Sequence, residues 1–255
     1  MIIDSLDGII KSAQEKGMMH RLWCPLNDQG ATAATSTCGY QTWGRYLPSF
    51  TIPSMGAGIS GAWMTRFSSV IGNSGVVCGL EYSLGTLTVS TNAFAAGVSM
   101  PTKTMRLNGI TSSVVTATQR AFLVATAALT AATPTITITY TNQAGTLNRT
   151  ATLVLPSNPV KNTAFDIIPH LQSGDTGIRA VTGISTSAGS AGSLVVYGLL
   201  VVGTTNAMLI NSVSVDPILT TMPLWLMETN ETLTIYQAAT NYQTVWCAFS
   251  AVAEY

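Results

Sequence analysis

The sequence predicts an all-β protein, folded as an antiparallel sandwich or barrel, and three observations predict it. From about residue 76 onward, LGTLTVST and PTITITYT alternate polar and apolar residues one by one, the period of a half-buried strand. TATLVL, IRAVTGIS, SLVVYGLLVV, TLTIYQ and QTVWCAFSAVA follow, separated by clusters of Gly, Asn, Ser and Pro, as strands linked by turns are. No helical period of useful length interrupts them; Gln119–Ala128 is the one ambiguous stretch. Pro134, Pro156 and Pro159 bracket strands rather than break them.

Before the strands lie two segments of different character. In residues 2–16, Ile2, Ile3, Leu6, Ile9, Ile10 and Ala13 recur at spacings of three and four, with Asp4, Asp7, Lys11 and Glu15 between them. This spacing predicts an amphipathic helix, and Gly17 can end it. So short a helix needs a surface to pack on, either its own domain or a neighbouring subunit. Residues 18–75 then read as a loop-rich arm or interface region, with Pro25, Pro48, Pro53, the run ATAATSTCG and the cluster MGAGISGAW. Trp23, Trp43 and Trp63 sit here and either cover a core edge or form a subunit contact. The expected organisation is therefore a helix over 1–17, an arm over 18–75 and a β-sandwich over 76–255.

Composition bounds the function. Eleven basic residues balance 11 acidic ones, and only 9% of residues are charged, against about 25% in an average globular protein. No net field draws the chain to nucleic acid or an anionic membrane. The missing charges are replaced by Ser, Thr, Asn, Gln and Gly, which suits close contact without the cost of desolvating ions. The longest strongly apolar run, Leu194–Val202, is too short for a spanning helix of about 20 residues. The first residues lack the basic start of a signal peptide. Cys24, Cys38, Cys78 and Cys247 show no C-x-x-C spacing; free buried thiols are expected, with a Cys24–Cys38 disulfide as the alternative.

Chemistry-bearing motifs are weak. His20 and His170 have no Cys, Asp or Glu at ligand spacing, so no metal or cofactor is expected. Ser173 and Asp175 lie near His170, but neighbours on one turn seldom converge on a reacting atom. Glu228 and Glu231 in METNETLT read as a solvated turn. GAGISG at 56–61 fits G-x-G-x-x-G outside any βαβ context. An enzyme is not expected.

The hairpin TPTITITYTNQAGTLNRTATLVLP carries the sharpest pattern. Ile136, Ile138 and Tyr140 share one face with Ala151, Leu153 and Leu155 of the return strand. Thr135, Thr137, Thr139 and Thr141 share the other with Thr150, Thr152 and Val154. Threonine makes such a strand soluble without charge, and cross-strand Thr pairs are favourable.

The run YTNQAGTLNRTATLVLPSN, followed by LQSGDTGIRAVTGISTSAGSAGSLVVYGLLVVG, resembles a pattern in structural proteins of tailed bacteriophages. A strand ending Y-T-N-x-x-G returns as R-T-x-x-x-x-x-P, then comes a G-D-T-G-[IV]-R-x-V turn and strand, and a small-residue hairpin before an apolar strand. The start, MIIDSLDG, is similar to those proteins too. The resemblance covers roughly residues 135–203 and the first ten. It implies an all-β, antiparallel jelly-roll-like β-sandwich with a short N-terminal helix and an irregular N-terminal region. It also implies a virion component on the capsid surface, a head decoration or cement protein. Such a protein would associate with itself, as a homotrimer, and with the major capsid protein. Gly174 and Gly177 would shape the motif's turn, Asp175 would accept backbone N–H bonds there, and Arg179 would sit on the strand leaving it. Ile2, Ile3, Leu6, Ile9, Ile10, Trp23, Trp43 and Trp63 are the expected anchoring contacts. The alternatives are a neck, baseplate or fibre-attachment adaptor, and a carbohydrate- or receptor-binding module using Trp225 or Trp246.

Overall fold

The computed structural model describes residues 22–26, 42–45, 49–52, 60–70, 76–107, 109–205, 213–216, 223–238 and 245–254. The expected N-terminal helix, with Ile2, Ile3, Leu6, Ile9 and Ile10, lies outside them. Described residues form three antiparallel sheets packed together, the all-β sandwich that the alternation predicts.

Strands are numbered in chain order. One sheet runs in the order β1 (Leu22–Leu26), β18 (Val245–Glu254), β4 (Gly61–Val70), β16 (Leu224–Met227), β7 (Thr102–Leu107) and β8 (Ile110–Val115). A short strand, β15 (Val213–Asp216), also pairs with β4. A second sheet has three strands, β11 (Arg149–Val154), β10 (Thr135–Asn142) and β13 (Ile178–Thr186). The third begins with β3 (Phe50–Thr51), β17 (Thr232–Ala238), β2 (Thr42–Arg45) and β12 (Thr163–Asp166). It continues through β9 (Arg120–Thr130), β14 (Ala191–Thr205), β5 (Val76–Thr88) and β6 (Ala93–Ala96).

In that third sheet β17 pairs with β2 on one side and with β5 on the other. This closes β5, β14, β9, β12, β2 and β17 into a ring. Residues alternate across its wall. Cys78 and Leu80 of β5, Leu123 of β9 and Leu200 of β14 belong to the large core outside it. Val77, Phe122, Val124, Ala164, Leu199, Val201 and Tyr236 form a separate cluster on the inner side, where Phe122 and Tyr236 stack at 4.3 Å. The continuous apolar run SLVVYGLLVV is thereby explained: β14 is buried on both faces, between β5 and β9.

Between residues 18 and 75 the described residues form β1 to β4, which join the same sheets as later strands. These strands are held by partners far along the chain, β18, β12, β16 and β17, and too short a run of alternation marks them in the sequence. Gln119–Ala128 falls almost wholly in strand β9, its Ala residues accommodated by close packing between β12 and β14.

Candidate functional site

The β11–β10–β13 sheet carries the features the sequence singles out. Register pairs Thr137 with Thr152, Thr139 with Thr150 and Thr135 with Val154. Ser185 and Gly183 stand opposite Thr137 and Thr139 from the other side. Ile136, Ile138, Tyr140, Ala151, Leu153 and Leu155 are buried in the core, each large side chain contributing about 1.5–3 kcal/mol. The outer face is a wall of hydroxyls, exposed or half-buried, with no ionisable side chain between Thr135 and Thr139 or between Thr150 and Val154. Bulges at Thr182 and Arg179 bend β13. They bring Ile178, Val181 and Ile184, three residues apart, onto the core side.

One end of the wall is clasped by Asp175. Tyr140 Oη donates to Asp175 Oδ2 at 2.6 Å, Arg149 Nε donates to the same oxygen at 2.9 Å, and Asn142 Nδ2 donates to Oδ1 at 2.7 Å. Arg149 Nη2 also reaches the carbonyl of Ser173, while Gln143 exchanges hydrogen bonds with Gly174 and Thr176. The Arg149 guanidinium, aided by Tyr140 and Asn142, holds the Asp175 carboxyl down at about 2. Burial, together with the hydrogen bond to Asp175, pushes the Tyr140 phenol up. The expected role of Asp175 is thus corrected: its carboxylate accepts from three side chains reaching across from β10 and β11, not from backbone N–H groups of its own turn.

The two glycines of the motif act differently. Gly174 has φ +86°, a conformation costly to other residues, with open space around its Cα. At Gly177 a Cβ would lie 2.4 Å from the carbonyl oxygen of Thr118, so the turn's exit packs directly on backbone. Arg179 leaves the turn on β13, as expected.

Two further clusters were not legible. On the inner side of the ring, Arg45 Nε donates to Glu81 Oε2 at 2.9 Å and Tyr236 Oη donates to the same oxygen at 2.6 Å. The Arg45 guanidinium also lies 4.6 Å from the Tyr197 ring centre. Elsewhere Lys103, its side chain 1% exposed, donates through Nζ to Glu228 and Glu231 at 2.9 Å. Tyr82 donates to Glu231 at 2.7 Å, and burial pushes the Tyr82 phenol up. Residues 228–230 are exposed, as a solvated turn should be, yet Glu228 and the half-buried Glu231 also clamp a buried lysine. Their partners lie 36 to 155 residues apart, and no local pattern announces such a pairing.

Of the expected contact residues, Trp63 is 3% exposed in β4. Trp23 and Trp43 lie on β1 and β2, but their side chains fall outside the described residues. Trp225, a candidate for glycan stacking, is 6% exposed and donates its indole N–H to Gln119 at 3.0 Å. A shallow depression of about 390 Å³ is lined by Thr130, Ala131, Ala132, Ser157, Asn158, Gly189 and Ser190, none of them ionisable. Among the described residues no three His, Cys, Asp or Glu side chains converge on a metal-sized space, and no helix is long and apolar enough to cross a membrane. Comparison with protein-family models, with curated proteins and with solved structures finds no match.

Proposed function

We propose that this chain is a structural component of a tailed-phage particle, a decoration or cement protein that binds the assembled head and stabilises it without catalysis. The observation that carries the reading is the hydroxyl wall on the β11–β10–β13 sheet, in the segment whose motifs resemble phage structural proteins. A face of Thr, Ser and Val loses water on contact without stripping hydration from ions. The Asp175 clasp ties the motif's turn to β10 and β11, so the wall is presented as one rigid surface. Its partners are further copies of the chain, arranged as a trimer, and the major capsid protein. Repeated surfaces favour closed symmetric oligomers of this kind.

A carbohydrate-binding role draws less support, because the indole of Trp225 is buried and already hydrogen-bonded. A neck or baseplate adaptor shares the same chemistry and differs in copy number.

Sedimentation with undecorated heads of the phage that supplies the major capsid protein tests the reading. Saturable binding at a fixed ratio to capsid subunits, and heads that break open at higher temperature, are expected. Failure to sediment with those heads overturns it; binding at one vertex only selects the adaptor. Removal of residues 1–17 is expected to leave a folded protein that no longer sediments with heads. Undiminished binding after that truncation removes the helix from the anchoring role.

A further inference from the structure

Among the described residues strand β8 ends its sheet and pairs on one side only, with β7. The β7–β8 register is unbroken from Thr102 opposite Val115 to Leu107 opposite Ile110. Just beyond, Thr116 N donates to the carbonyl of Pro101 at 3.1 Å, which fixes the phase of the ladder. Hydrogen-bonded pairs alternate with non-bonded ones in an antiparallel ladder. Ile110, Ser112 and Val114 therefore turn their backbone groups toward β7, while Thr111, Ser113 and Val115 turn theirs outward.

Exposed edges are ordinarily guarded by lysine, proline, a bulge or a covering segment. The strand ITSSVV has no charge and no proline, and its ladder to β7 has no bulge. Three of the six large apolar side chains that are exposed among the described residues belong to this hairpin: Leu107, Ile110 at 71% and Val115 at 61%.

We infer that β8 pairs with β8 of a second copy of this chain, antiparallel about a two-fold axis through Ser113. An axis relating two edges of a continuous antiparallel sheet stands perpendicular to it and keeps each face on its own side. It must therefore pass through a residue position rather than between two. Centred on Ser113, it sets Thr111 opposite the second copy's Val115, Ser113 opposite Ser113, and Val115 opposite the second copy's Thr111. All three outward-facing residues then sit in hydrogen-bonded pairs, each exchanging two bonds. Centred on Ser112, only Thr111 and Ser113 would do so. The side chains agree: Ser112 meets Val114, Ile110 meets Thr116, and no ion is desolvated or set against a like charge. Adding a strand to a free edge is a common recognition mode, and here the edge is complementary to itself. The pairing stands whether or not the protein is a shell component.

Light scattering behind size-exclusion chromatography, on the full chain across a wide concentration range, tests it. An even assembly is expected, a dimer or, where a threefold association is also present, a hexamer. Ser113→Pro removes an outward N–H and leaves the β7 ladder intact. Ser113→Lys places two ammonium groups across the axis from one another. Each is expected to halve the particle mass while the thermal melt stays close to that of the parent, and Ser113→Thr is expected to keep the parent mass. Should Ser113→Pro not fold, Ser113→Lys decides alone, since its side chain is exposed. A monomeric or odd-numbered parent, or an unchanged mass in the folded variants, overturns the proposal.

Discussion

In the β11–β10–β13 sheet every second residue from Thr135 to Thr139 and from Thr150 to Val154 faces outward, and these residues are uncharged, all threonine except Val154. The closed ring of β5, β14, β9, β12, β2 and β17 is the opposite case, with β14 buried on both faces and an ionic group, Arg45 with Glu81, on its inner side. A chain with so few charges has thus spent several of them inside. Lys103, buried against Glu231 and the half-exposed Glu228, is a further one. The difference teaches where specificity resides in each region. Alternation alone sets the wall, whereas the ring depends on ions that find one another across long stretches of chain.

Breaking the ring's ion pair is expected to have the largest effect. Glu81→Ala leaves Arg45 and the Tyr236 hydroxyl buried without their acceptor, and loss of one partner of a buried pair costs about 3–5 kcal/mol. Urea denaturation midpoints read this directly. The pair Arg45→Met with Glu81→Leu removes both charges and is expected to recover most of the loss. If Glu81→Ala alone costs under about 1 kcal/mol, the pair is hydrated rather than desolvated.

The Asp175 clasp comes next. Asp175→Asn is expected to cost about 1–3 kcal/mol, because three donors lose a charged acceptor. Its carboxyl titrates at about 2 in the folded chain, against an ordinary 3.8. A folded value below the unfolded one means that the stabilisation is complete above the unfolded value and is lost as pH falls through the folded one. Stability should therefore drop between pH 4 and pH 2, and Asp175→Asn should flatten that part of the profile. An equally steep profile in the variant would assign the acid sensitivity to other carboxyls.

The glycines beside it sharpen the comparison within one turn. Gly177→Ala drives a Cβ against the Thr118 carbonyl and is expected to cost about 1–3 kcal/mol. Gly174→Ala meets nothing but keeps φ +86°, a strain of about 1–2 kcal/mol. Thermal melts of the two variants should rank them in that order.

The contrast between the regions also sets what the sequence could tell. Alternation in PTITITYT, and the Thr and Ile faces of the hairpin, were readable because period two is a local property of the chain. The apolar run of β14 was readable as a strand from another local property, a short continuous stretch rich in Val and Leu between turn signals. The strands of residues 22–70 were not, since each is defined by a partner such as β17 or β18 near the other end of the chain. Asp175 was legible as a turn residue, but its three donors are 26 to 35 residues away, and only the sheet brings them to it. The pairing of Glu228 and Glu231 with Lys103 was not legible, because nothing near them in sequence announces it.

The smallest expected effect on stability falls on the wall itself. Thr137→Val with Thr152→Val exchanges two facing hydroxyls for methyls at exposed and half-buried positions. Valine suits a strand as well as threonine does, so the cost should lie within about 0.5 kcal/mol. Replacing the same residues by Lys and Glu keeps the strand and adds charge to the face. If the wall is a contact surface, the charged pair of substitutions should weaken head binding strongly, since both ions must be desolvated on contact. The valine pair should leave it near the parent level. If both variants bind heads as the parent does, the wall faces water in the assembled particle, and the hydroxyls serve only to keep an uncharged strand soluble.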